Sequence, residues 1–136
     1  MIDPIVVDRI RAALASGDVD DFAVLLAPDV TWGAPGSENP PCRSDRDVLR
    51  WYRRALDRGV RGTVTEVTPA EAGVLVGLMV TGSPTAEDLG QVERWQVLAV
   101  SDGRVTDIRG YEDRAAAVAA LDRAAVGGSP PSPPPG

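Results

Sequence analysis

Histidine and lysine are both absent from this chain of 136 residues. The first absence removes the usual general base and the commonest metal ligand, and the second removes Schiff-base chemistry. A single cysteine, Cys42, cannot close an internal disulfide. With no histidine to activate it, its thiol reads as a packed side chain in a reducing compartment. These residue types call for no metal and no cofactor. No apolar run approaches the roughly 20 residues that a membrane span needs, and Met1-Ile2-Asp3-Pro4 lacks the basic start of a secretion signal. A cytoplasmic protein is expected.

What is present is ordinary for a folded domain: 43% apolar and 25% charged residues, with a net charge of −6. That charge disfavours nucleic acid and anionic membrane surfaces as partners. All fourteen basic residues are arginine. Together with abundant Ala, Gly, Val and Pro, this points to a high-GC bacterial genome and to no particular function. The length supports one core. We expect a single domain over residues 1–126 and a disordered Gly, Ser and Pro tail over 127–136, which has nothing to bury.

Asp3-Pro4 reads as a helix cap followed by proline at the first helical position. Val6, Ile10, Ala13 and Leu14 then recur at helical spacing as far as Gly17. Asp18 is placed to cap a short second helix bearing Phe22, Leu25 and Leu26, stopped by Pro28 and Asp29 before a strand at Val30-Thr31-Trp32. From Gly33 to Arg43 the chain lacks periodicity and predicts a loop. Ser44 with Asp47 resembles a capping box, after which Val48, Trp51, Tyr52, Ala55 and Leu56 trace one stripe of a third helix ending at Gly59. Four strands follow, over 62–68, 74–81, 91–100 and 104–111, expected to pair as an antiparallel meander. Asp102-Gly103 is a type I′ hairpin signal that makes the last two neighbours. Residues 113–126 predict an Ala-rich last helix.

Alternation along residues 94–100 places Arg94, Gln96, Leu98 and Val100 on one face and Trp95, Val97 and Ala99 on the other. Both faces are largely apolar, so each needs a cover. By this count the helices suffice for only one, and a homodimer through the outer face is expected. Asp107, Arg109 and Tyr111 share that outer face.

Two helices, a strand, a loop, a long helix and a meander ending in Gly-Arg-Val-Thr-Asp-Ile-Arg-Gly-Tyr-Glu-Asp resemble the SnoaL-like, nuclear-transport-factor-2-like superfamily. The resemblance spans residues 5–122 and is carried by 9–18, 30–52 and 93–113. It implies an α+β fold: a cone-like curved antiparallel sheet packed on an N-terminal helix hairpin and a third long helix, with an apolar conical pocket. In the ketosteroid isomerases of this superfamily, a Tyr and two Asp carry the chemistry. Ile10, Ala34 and Gln96 stand at those positions here. In limonene-epoxide hydrolases an Arg and two Asp act together, and the matching positions read Arg94, Gln96 and Gly110. The resemblance therefore implies the fold without the catalytic carboxylates.

The same register implies a pocket face of Arg94, Gln96, Leu98, Thr106 and Ile108, with Trp32, Trp51, Ile10, Ala34 and Gly110 as further ligand contacts. Arg94 facing an apolar cavity must meet a carboxylate or bind a ligand anion or carbonyl. Gln96 can donate to a ligand carbonyl, or satisfy a neighbouring group of the fold. Glu38, in the loop, and Tyr52, through its hydroxyl, are the remaining candidates for a base and an acid. The expected partner is a small hydrophobic molecule. The expected function is a polyketide-type cyclase, isomerase or epoxide-opening enzyme, or alternatively a non-catalytic binding, regulatory or dimerisation module.

Overall fold

A computed structural model describes residues 3–16, 19–33, 42–82 and 92–127. Residues 34–41 with Ala34 and Glu38, Gly17 and Asp18, Gln91, and residues 128–136 lie outside the described residues. The elements are α1 (Pro4–Ser16), α2 (Val19–Ala23), β1 (Leu26–Gly33), α3 (Asp45–Asp57), β2 (Arg61–Pro69), β3 (Val74–Thr81), β4 (Val92–Ser101), β5 (Arg104–Tyr111) and α4 (Arg114–Gly127).

The helix starts follow their capping chemistry. Asp3 accepts from the Ile5 amide at 2.9 Å, and Pro4 holds the first position, where no amide hydrogen is needed. Ser44 accepts from the Asp47 amide at 3.2 Å. The reciprocal bond of a capping box is shifted by one residue, since Asp47 accepts from Arg43 rather than from Ser44. Asp113 caps α4 by accepting from Ala116 at 2.7 Å.

The sheet order is β1-β5-β4-β3-β2. The meander β2 to β5 is antiparallel throughout, and β1 adds to β5 in parallel. Asp102 and Gly103 both take positive φ (53° and 77°), as the tight β4–β5 turn requires. The sheet is curved and open, so the chain is an α+β domain with one concave, helix-covered face. That face buries Val7 and Ile10 of α1, Phe22 of α2, Val30 of β1 and Val48 of α3 against Val74, Val76, Leu98 and Ile108 of the strands.

Four expectations are corrected. Leu25 and Leu26 do not extend the second helix: the strand begins at Leu26 and runs through Pro28. Proline is tolerated there because β1 is an edge strand and its register with β5 slips between Leu26 and Thr31, so no ladder amide is required of it. Trp51 lies off the buried stripe of α3 and is 49% exposed. Thr106 does not face the pocket side, because a register shift beyond Ala99 puts Val105 in the core and turns the Thr106 hydroxyl onto the Ala99 carbonyl at 3.3 Å.

The fourth correction concerns the outer face. Its cover comes from α4, whose Ala117 and Leu121 pack on Leu75 and Trp95. Arg114 at the start of α4 forks onto the Glu66 carboxylate of β2 (3.0 and 2.8 Å) and lies 5.9 Å above the Trp95 ring. The second layer that the two-faced strand demands is thus intramolecular over this part of the sheet. No helix of the described residues is long and apolar enough to cross a membrane.

Candidate functional site

The concave face is built from every second residue of β3, β4 and β5. Register pairs Val74 with Leu98 and Leu98 with Ile108, then Val76 with Gln96 and Gln96 with Gly110, then Leu78 with Arg94. Cross-strand partners point to the same side of a sheet, so these residues form three successive rows. The first row is sealed: Leu98 and Ile108 are fully buried together with Ile10, and they make the floor of the cone. The second row changes character.

Gln96 is the one buried polar residue among the described residues, at 8% exposure. Its side-chain amide makes no hydrogen bond among them. Leaving such a group dry and unpaired costs about 1–3 kcal/mol. Gly110, opposite it, has no side chain, and a Cβ placed there would meet nothing within 4 Å. The row therefore reads Val76, an unpartnered amide, then open space. Arg94, one row further out and half-buried, makes no hydrogen bond or ion pair among the described residues.

The side wall is aromatic. Trp32 of β1 aligns with Ile108 and is bridged across to Cys42. Its ring lies 4.6 Å from Trp51 and 5.1 Å from Tyr52, while Tyr52 meets Phe22 edge-on at 5.3 Å. Four of the chain's six aromatic residues thus join α2, α3 and β1 in one cluster. Burial pushes the Tyr52 phenol up to about 12. It stays a neutral hydroxyl across the physiological range, suited to donating a hydrogen bond and poor at yielding its proton. Burial, and then the Asp47 charge, raise the Cys42 thiol, which is the packed and unreactive cysteine expected of it.

The structure therefore brings Arg94, Gln96, Leu98, Ile108 and Gly110 onto one face, with Ile10 beneath and Trp32, Trp51 and Tyr52 beside it. Glu38 and Ala34 fall outside the described residues. Asp107 is turned to the outer face, where it accepts from Thr31 and from Arg109 Nε at 3.0 Å. No inner-face residue of β2 to β5 carries a carboxylate, and no group of three metal-ligating side chains occurs among the described residues. Val76 and Leu78, which flank the polar row, were not singled out by sequence, although the same alternation that found Gln96 reaches them through strand pairing. The described residues also form a groove on the solvent side of α3.

A small α+β domain with a curved sheet, a sealed apolar floor and one polar row above it defines the class. The family model of the SnoaL-like domain matches residues 7–108, and the chain belongs to that family. No protein of curated function matches it in sequence. Among solved structures it is similar to an LEH-like epoxide hydrolase of M. tuberculosis, at 25% identity and a TM-score of 0.55, covering 90% of each chain. It is also similar to a candidate ketosteroid isomerase from Kribbella flavida, at 20% identity and a TM-score of 0.63, covering 97% of this chain and 82% of that one. A candidate polyketide cyclase from Sinorhizobium meliloti is 21% identical, with a TM-score of 0.60, covering 80% of this chain and 95% of that one. These likenesses place the fold, while the chemistry is a matter of the side chains.

Proposed function

We propose that this SnoaL-like domain binds a small, mainly apolar molecule carrying a carbonyl or similar acceptor, held over the inner face between the β4–β5 rows and the Trp32–Trp51–Tyr52 wall. The observation that carries the reading is the buried, unpartnered amide of Gln96 facing the open space at Gly110. Gln96 donates to the acceptor group, Arg94 offers a charged fork at the rim, and the aromatic rings and Leu78 take the apolar body. A cone filled for purely structural reasons would close this row with a side chain at residue 110.

Binding without turnover is favoured over cyclisation, isomerisation or epoxide opening, because the inner face of β2 to β5 offers donors and no carboxylate base. The enzymatic alternative rests on Glu38 as base and Tyr52 as donor. A homodimer is proposed for the strip of the outer face beyond the contacts of α4, around Ala99, Asp107 and Arg109, and a monomer by light scattering refutes it.

The test is a thermal-shift screen of apolar ketones, quinones and lactones, repeated with Gln96→Ala and Arg94→Ala. Stabilisation by at least one compound, lost in Gln96→Ala, supports the site. Absence of any shift, or hits indifferent to both substitutions, refutes it. Incubation of each hit with the protein at several pH values then separates a binder, which returns the compound unchanged, from an enzyme.

A further inference from the structure

The charges of this acidic chain are segregated. Residues 43–61 hold seven of the fourteen arginines against three aspartates, a surplus of four positive charges, whereas the remainder carries a deficit of ten. Helical spacing then sorts them. Val48, Tyr52 and Ala55 turn inward on α3, and Arg46, Arg50, Arg53 and Arg54 fall together on the opposite, solvent side. With Leu49 and Asp57 they line a groove of about 490 Å³. From Arg46 to Arg54 the helix rises about 12 Å.

These guanidiniums are little engaged. Arg50 reaches Asp47 only at 3.9 Å and Arg53 reaches Asp20 at 3.4 Å, both between well-exposed side chains where such pairs are weak. Arg46 and Arg54 make no side-chain hydrogen bond or ion pair among the described residues. Arg61, by contrast, donates to the Leu56 carbonyl in the last turn of α3 and to the Val60 carbonyl beyond it.

We propose that the solvent face of α3 is a second ligand site, for a compact phosphorylated small molecule whose diphosphate or longer phosphate chain lies along Arg46, Arg50, Arg53 and Arg54. Planar guanidinium forks match phosphate oxygens in pairs, and four on one stripe match an elongated polyanion better than a single carboxylate. Leu49 gives the groove an apolar edge for the organic part. Size also selects against long polyanions. Charges are screened over about 8 Å at physiological salt, so a ligand confined to the stripe feels its surplus, whereas a nucleic acid or an anionic bilayer extends onto the strongly negative remainder.

Calorimetric titration with sodium pyrophosphate, and with sulfate as the simple-anion control, tests this on the full chain. Saturable pyrophosphate binding is expected, weakening with salt and exceeding that of sulfate. The double substitution Arg46→Gln with Arg54→Gln is expected to weaken it about tenfold or more, as the loss of two charge-assisted contacts implies. Arg9→Gln with Arg104→Gln, which removes two exposed arginines elsewhere, should leave it unchanged. The proposal is overturned by no saturable binding in the millimolar range, by equal affinity for sulfate, by a stripe variant that binds like wild type while keeping its melting temperature, or by preferential sedimentation with phosphatidylglycerol vesicles.

Discussion

Replacing Gln96 by leucine should make the protein more stable and unable to respond to its ligand. Gln96 is 92% removed from solvent on the basis of its 8% exposure, lies between Val76 and Gly110 in the sheet, and has no side-chain hydrogen bond among the described residues. A buried amide without a partner costs about 1–3 kcal/mol. At the lower end of that range, removal of the amide should gain about 1 kcal/mol, with leucine filling a similar volume. For a domain of this size the melting temperature should rise by about 3–5 °C. Urea unfolding should show a higher midpoint at unchanged slope. In the compound screen, the shifts seen with wild type should vanish. The opposite stability result would be decisive: a loss of about 1 kcal/mol or more would mean that the amide is satisfied within the fold, and the inner-face site would lose its main support. Gain of stability with loss of binding is the pattern of a residue kept for function.

Three further outcomes follow from the packing and the charges. Gly77→Ala should cost about 1–3 kcal/mol in urea unfolding, because its Cβ would lie 2.5 Å from Trp95 Cζ3 and 2.8 Å from Thr65 Oγ1, and the near-ultraviolet circular dichroism of Trp95 should change with it. The hydrogen bonds from Arg114, then that from Thr68, hold the Glu66 carboxyl down at about 2; this stabilisation is complete above pH 4.5 and disappears as pH falls towards 2, and Arg114→Ala should return the Glu66 titration, followed by NMR, towards the ordinary range. The raised Tyr52 phenol works with the opposite sign, contributing stability that is full below pH 10 and lost as pH rises towards 12, so Tyr52→Phe should flatten the alkaline limb of a stability profile.

Much of the fold was legible because local signals agreed with the global arrangement. Asp102-Gly103 pinned the last hairpin and alternation sorted the faces of β4, whereas Gly110 was matched to Gln96 only through the family resemblance, because the register shift beyond Ala99 defeats strict alternation from the turn. Where local signals conflicted, the reading failed. Leu25-Leu26 continues a helical apolar pattern, yet Leu26 opens a strand, since the parallel pairing with β5 that recruits it is a contact between residues 26 and 105 that no local window contains. The role of α4 was hidden by its composition: an Ala-rich helix has little amphipathic contrast, and its cover of Trp95 depends on Leu121 and on the Arg114–Glu66 fork from a distant strand.

The candidate site shows the same division with a sharper consequence. Sequence placed a polar pair, Arg94 and Gln96, in an apolar strand, but left open whether the amide served a ligand or the fold. Among the described residues the buried amide has no hydrogen-bond partner, which supports the ligand-binding role proposed for it. The arginines of α3 failed for another reason. A net charge of −6 averages over the whole chain and argues against anionic partners, yet electrostatics act over a screening length of about 8 Å and not over a molecule. Within that distance the solvent side of α3 is locally cationic. The two proposed sites are of opposite character, an apolar inner face with a single buried amide and a cationic outer helix face, and α3 joins them: its Tyr52 lies beside the first and its Arg53, the next residue, lines the second.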